Sequence, residues 1–169
     1  MANRQRQAGR ETGQGAASDP SDLLKLENQL CFPLYACAKE VVRRYKPMLD
    51  GLDLTYTQYL AMMALWEEDS LSVSGLGERL YLDSGTLTPL LKKLEAKGLC
   101  TRSRSTDDER KVIVSITEKG RRLRERAAGV PRKMASCVGL SLDEATQLRW
   151  LLDKVLGNVA ATHQAGAAS

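Results

Sequence analysis

The stretch "DSGTLTPLLKKLEAKGL", residues 83–99, sets Leu87, Leu90, Leu91 and Leu94 at steps of three and four, which puts them on one face of a helix. Gly98 stands where that helix should end. Just upstream, "SVSGLGERLYL" reads as a shorter helical segment, so two helices meet across a very tight turn. Downstream, in "CTRSRSTDDERKVIVSIT", Val112, Val114 and Ile116 alternate after a polar turn at Thr106 to Glu109, the pattern of a two-stranded hairpin. "TEKGRRLRERAAG" then opens another helix. The order helix, helix, hairpin, helix predicts a mainly α chain with a small β-hairpin, a winged helix-turn-helix.

Longer helices bracket this unit. From Leu30 the residues Leu30, Leu34, Cys37, Val41, Tyr45 and Met48 recur with helical period, and Pro33 and Pro47 are expected to bend or restart the helix. Thr55 and Gln58 are spaced as a capping box for a second helix ending near Glu68. Ser141 and Glu144 repeat that box before Leu148, Leu151, Leu152, Val155 and Val159, a terminal amphipathic helix. The first twenty or so residues hold almost no large apolar side chain and cannot offset the entropy of ordering. The expected organisation is a flexible tail at 1–22, one domain at 23–161 and a second tail at 162–169.

Composition narrows the function classes. At 169 residues and 43% hydrophobic content the chain is long enough for one domain with a real core. Its apolar runs fall short of the roughly 18 residues of a membrane span, and its start lacks a secretory apolar core, so a cytoplasmic protein without membrane contact is expected. Four cysteines are then expected as reduced thiols. They form no C-x-x-C pair and the single histidine is His163, which argues against zinc, and no motif calls for a cofactor.

Charge distribution says more than the net of +4. Between Lys92 and Arg126 there are twelve Lys or Arg against six Asp or Glu, a net of +6, so the remainder sums to −2. This concentration on a helix, a hairpin and the next helix start is the footprint of phosphate contacts, although a solvated face would look the same. The tight turn and hairpin favour double-stranded DNA. Ser84, Thr86 and Thr88 at the helix start and Lys92 further along would meet a major groove, with Asp83 or Ser84 also capping the helix. Arg104, Asp108 and Arg110 belong to the wing, where Arg110 either enters a minor groove or is pinned by Asp108.

The residues "LENQLCF", "LTYTQYLAMMALWEED", "GERLYLDSGTLTPLLKKLEAKGL" and "RSTDDERKVIVSITEKG" together resemble the organic hydroperoxide resistance regulators, a branch of the MarR family. The likeness covers roughly Leu24 to Ala160. It implies a homodimer, with amino- and carboxy-terminal dimerisation helices. The dimer would bind a palindromic operator when reduced and leave it when Cys31 is oxidised by an organic hydroperoxide. Cys31, Tyr35 and Tyr45 match the family's sensing positions, and Cys137 resembles the resolving cysteine of its two-cysteine members. Low-molecular-weight thiols are the alternative resolving partners.

Residue chemistry bears on the same four positions. A thiolate attacks the peroxide O–O bond to give a sulfenic acid, which needs both a negative charge and access. If Pro33 lies in a first helical turn, Cys31 sits beside that helix's amino terminus, where the dipole favours an anion. Pro33 itself departs from the commoner family pattern, so the backbone near the thiol can differ. Tyr35, four residues on, shares a face with Cys31. Tyr45 lies fourteen residues on, about 21 Å along a continuous helix and too far to touch Cys31 in one chain, but an antiparallel two-fold pairing of helices could bring it to the partner subunit's Cys31, as the resemblance implies. On spacing alone both tyrosines read first as ordinary interface residues. Cys137 equally fits an inert small residue, while Cys37 and Cys100 read as packing residues. Two other functions stay open: a winged-helix regulator answering to a phenolic or aromatic ligand, and a thiol peroxidase.

Overall fold

A computed structural model describes residues 21–166, with side chains through Ala160. The expected amino-terminal tail lies outside the described residues up to residue 20, and Asp22 opens the first of two 3-10 turns, Asp22–Leu24 and Leu26–Asn28. The chain divides between Val41 and Val42 into two compact units, each considered by itself below. Seven helices and three strands follow in order among the described residues: α1 Cys31–Asp50, α2 Tyr56–Glu67, β1 Ser70–Ser72, α3 Val73–Leu80, α4 Ser84–Ala96, β2 Cys100–Arg104, β3 Val112–Ile116, α5 Glu118–Ala127, α6 Gly129–Val138 and α7 Leu142–Gly166.

Helix starts follow the polar residues that cap them. Thr55 and Gln58 form the expected capping box, with the Gln58 amide donating to Thr55 Oγ1 at 3.3 Å and the Thr55 amide donating to Gln58 Oε1 at 3.1 Å. Ser72, Asp83 and Thr117 each accept the amide three residues on. The second predicted box also forms: the Ser141 amide donates to Glu144 Oε2 at 2.8 Å and the Glu144 amide to Ser141 Oγ at 3.3 Å.

Leu87, Leu90, Leu91 and Leu94 of α4 are all buried, as their spacing requires. Each such side chain stabilises the fold by about 1.5–3 kcal/mol relative to exposure. They join Leu49, Met62, Leu65, Leu76 and Val114 in one core. The hairpin is part of a larger sheet than its sequence suggests. β3 lies in the middle, antiparallel to both neighbours, with Arg102 opposite Val114 on one side and Leu71 opposite Val114 on the other. A three-residue strand such as β1 has no alternation long enough to announce it.

Four other features correct the reading from sequence. α1 runs unbroken through Pro47, which sits in its last turn where few backbone bonds follow. Cys37 is exposed, because no part of its own unit covers that face of α1. The residues after Ala127 form a separate helix, α6. And α7 continues to Gly166, beyond the expected boundary at 161, since Ala160, Ala161 and Ala165 favour helix.

Candidate nucleic-acid interface and thiol site

Beside its buried leucines α4 carries Ser84, Thr86, Thr88 and Lys92, all exposed. Ser84, Thr88 and Lys92 succeed one another at intervals of four and so form one row. Thr86 is otherwise engaged. Its amide donates to Asp83 Oδ1 and its hydroxyl to Asp83 Oδ2, both at 2.9 Å, so the side chain expected to reach DNA also closes the helix cap. The two bonds from Thr86 hold the Asp83 carboxyl below its ordinary range.

Between this helix start and the wing lies a cleft of about 680 Å³. It brings together Ser84, Thr88, Arg102, Arg110 and Lys111 over an apolar floor that includes Leu87 and Leu91. Lys92, Arg104 and Asp108 are not part of its lining; Arg104 closes β2 opposite Val112. In the wing turn, Asp108 Oδ1 accepts the Arg110 amide at 3.1 Å, and the Lys111 amide donates to the Asp108 carbonyl at 2.8 Å. The ionic partner of the Asp108 carboxylate is Lys111, at 3.9 Å. Asp108 therefore shapes the turn through the Arg110 backbone and leaves the Arg110 guanidinium exposed.

Two further residues of this region carry no local signal in the sequence. Arg102 reaches back to Glu95 and locks the wing's first strand to α4. Tyr81, in the turn between α3 and α4, is exposed and lines the cleft. An arginine seven residues after a glutamate, across a helix stop, is a pairing that only the folded turn at Gly98 reveals.

In the first unit, Cys31 is the first residue of α1, exposed, with Pro33 two residues on in the same turn. The approach to it is fastened locally: Asn28 Nδ2 donates to the Asp22 carbonyl at 2.8 Å and Gln29 Nε2 to the Leu23 carbonyl. Tyr35 is exposed, with the Lys39 ammonium 5.9 Å from its ring centre. Tyr45 belongs to the second unit, where its ring lies 4.8 Å from that of Tyr56 and 6.0 Å from that of Tyr59. Burial raises all three phenols above the ordinary tyrosine value, and their mutual proximity adds to the rise at Tyr45 and Tyr59. Cys137 is exposed near the end of α6. Cys100 alone of the four thiols is buried, as its packing role requires, and burial pushes it up to about 11. Among the described residues no cluster of His, Cys, Asp and Glu is arranged to hold a metal, and no helix is long and apolar enough to cross a membrane.

A capped helix laid beside a basic wing, on a three-stranded sheet, defines a winged-helix DNA-binding regulator. Comparison with known proteins places it more closely. A family model described as transcriptional regulator SarA/Rot matches residues 43–126. The chain is 49% identical over 143 residues to the organic hydroperoxide resistance transcriptional regulator of Bacillus subtilis, covering 85% of this chain and 95% of that one. Its fold matches that of reduced AbfR bound to DNA, AbfR being a protein of Staphylococcus epidermidis, with a TM-score of 0.72 and 30% identity over 83% of this chain and 96% of that one. Overoxidised AbfR bound to DNA matches with a TM-score of 0.67 and 33% identity over 82% and 98%. The chain belongs to the MarR/SarA family of transcriptional regulators, a family of DNA-binding proteins and not of enzymes.

Proposed function

We propose that this regulator is a redox-sensing repressor that grips a palindromic operator as a reduced homodimer and releases it when organic hydroperoxide oxidises Cys31. The observation that carries the reading is the placement of Cys31 in the exposed first turn of α1, in a chain so similar to a regulator named for organic hydroperoxide resistance. Exposure admits the oxidant to the thiol, a condition for attack on an O–O bond. AbfR, solved on DNA in reduced and in overoxidised form, supports cysteine oxidation as a variable of this architecture.

The reaction forms a sulfenic acid at Cys31 and releases the alcohol. A second thiol, either Cys137 of the partner subunit or a low-molecular-weight thiol, then displaces water to form a disulfide. The dimer is supported by α7, on which Leu148, Trp150, Leu151, Leu152, Val155, Leu156 and Val159 are exposed in the single chain. An apolar array of that extent is the mark of an interaction surface. Within that dimer Tyr35 and Tyr45 would complete the thiol site, and residues 23–161 would act as one DNA-binding and dimerisation module. Ser84, Thr88, Lys92, Arg104 and Arg110 would contact DNA, with Thr86 and Asp108 ordering the helix cap and the wing turn. Two half-sites must meet successive major grooves about 34 Å apart, so a small rotation of the subunits removes contacts at both ends together.

A second reading rests on a cavity of about 290 Å³ lined by Val42, Leu49, Leu54 and Tyr56 together with Arg43, Lys46 and Asp50, which would suit a small phenolic or aromatic ligand. An operator titration against organic hydroperoxide separates the two. Wild type is expected to release DNA, Cys31→Ser to stay bound, and Cys137→Ser to release DNA without a covalent dimer on non-reducing electrophoresis. A Cys31→Ser chain that still responds to hydroperoxide overturns the redox reading. Release by phenolic acids with all thiols intact favours the cavity.

A further inference from the structure

Tyr81 takes a backbone conformation that suits its side chain badly. With φ 54° and ψ 41° it occupies the left-handed region that glycine or asparagine usually fills after a helix. A bulky residue there is a real departure, and such strain persists only where the surroundings impose it. The backbone reason is plain. The Leu82 amide donates to the Gly77 carbonyl at 2.9 Å and the Tyr81 amide to the Glu78 carbonyl at 3.3 Å, a tight helix end that reverses the chain before α4. Gly77 permits it, since a Cβ there would stand 2.9 Å from the Leu82 carbonyl oxygen.

None of this explains a tyrosine. Its side chain buries little that would offset the strain, because the residue is 67% exposed. What it does share is the cleft beside the DNA-facing row, with Ser84, Thr88, Arg110 and Lys111. Glu78 and Asp83 line the same cleft, so a further anion entering there needs donors on that side. A neutral phenol supplies one.

We propose that Tyr81 is a phosphate-anchoring residue. Its hydroxyl donates a hydrogen bond to a phosphodiester oxygen beside the major groove and so fixes the angle at which α4 enters. The inference rests on the DNA-binding role of the family and adds a contact to it. Phosphate contacts set register and orientation and carry no base preference, so loss of this one should weaken all duplexes alike.

The experiment compares full-length wild type, Tyr81→Asn and Tyr81→Phe under reducing conditions. Thermal melting and anisotropy titrations use the chain's footprinted operator and an unrelated duplex across a range of salt. Asparagine tolerates the left-handed region, so Tyr81→Asn should melt no lower than wild type while binding both duplexes roughly tenfold more weakly, about 1.4 kcal/mol. Tyr81→Phe should lose several-fold in affinity, with the salt slope unchanged because a neutral donor releases no counterion. The proposal is overturned by unaltered affinity in Tyr81→Asn, by a melting temperature that drops along with affinity, or by a Tyr81→Phe variant equal to wild type. Wild type that binds neither duplex would instead overturn the DNA-binding reading itself, before any variant is compared.

Discussion

Arg102 holds Glu95 with three hydrogen bonds. Its Nη2 and Nε donate to Glu95 Oε2 at 2.6 and 3.0 Å, and its backbone amide donates to Oε1 at 3.1 Å. One carboxylate thus ties the last turn of α4 to the wing's first strand, so α4 and the hairpin beside it keep a fixed angle.

That bond predicts an acid limb. The Arg102 guanidinium holds the Glu95 carboxyl below its ordinary value of 4.5. A carboxyl lowered in the folded state stabilises it fully above the unfolded value, and the contribution fades as pH falls through the folded one. Glu95→Gln should therefore melt below wild type at pH 7, with the difference closing as pH drops below about 4.5. Parallel melting curves across pH 3 to 7 check this; a gap that persists at the acid end contradicts it.

Gly120 has no room for a methyl group. A Cβ there would press on the Leu99 carbonyl and stand 2.8 Å from Ile116 Cγ1, while the Gly120 carbonyl accepts the Trp66 indole N–H at 2.8 Å. Since the nearest atom is backbone, Gly120→Ala is expected to destabilise by about 2–3 kcal/mol, at the upper end of overpacking effects. Urea unfolding with an unchanged m-value and a lower midpoint is the expected readout.

Burial makes the phenols of Tyr45, Tyr56 and Tyr59 harder to ionise than in the unfolded chain. The stability they confer is complete below the unfolded value of about 10 and is lost as pH rises from there through the folded values. Tyr56→Phe should flatten the decline in stability above pH 10, and ultraviolet titration should show delayed phenolate formation in the native wild type.

Cys100 should stay silent when the other thiols react. With its thiol pushed up to about 11, only about one molecule in a thousand is thiolate at pH 8. Maleimide or hydroperoxide treatment of native protein, mapped by mass spectrometry, should leave Cys100 unmodified until urea exposes it.

Arg110→Ala tests the wing. If the exposed guanidinium enters a minor groove, operator affinity should fall by about 1–3 kcal/mol and the salt slope by about one, with folding unaffected. Unaltered binding would assign the residue to the turn alone.

The elements of the winged helix were largely readable from residue order, because strong local signals marked them. Four leucines at helical spacing, capping residues at 55, 83 and 141, and an alternating Val112, Val114 and Ile116 each carry their own physics. What escaped depends on how the folded chain brings its parts together. β1 forms only because Leu71 finds Val114, and Arg102 matters only because Gly98 turns it toward Glu95. Thr86 reads from the sequence as a free hydroxyl, while in the fold it closes on Asp83. Cys37 followed the helical stripe and still faces outward, because periodicity says which side of a helix is apolar and not what covers it.

In the proposed dimer, the bare flank of α7 makes abundance a control variable. If subunits seat on one another through those leucines, valines and Trp150, each copy gains its full resistance to unfolding only at concentrations where copies meet. Dilution alone would then loosen its hold on a chromosome, with no oxidant present.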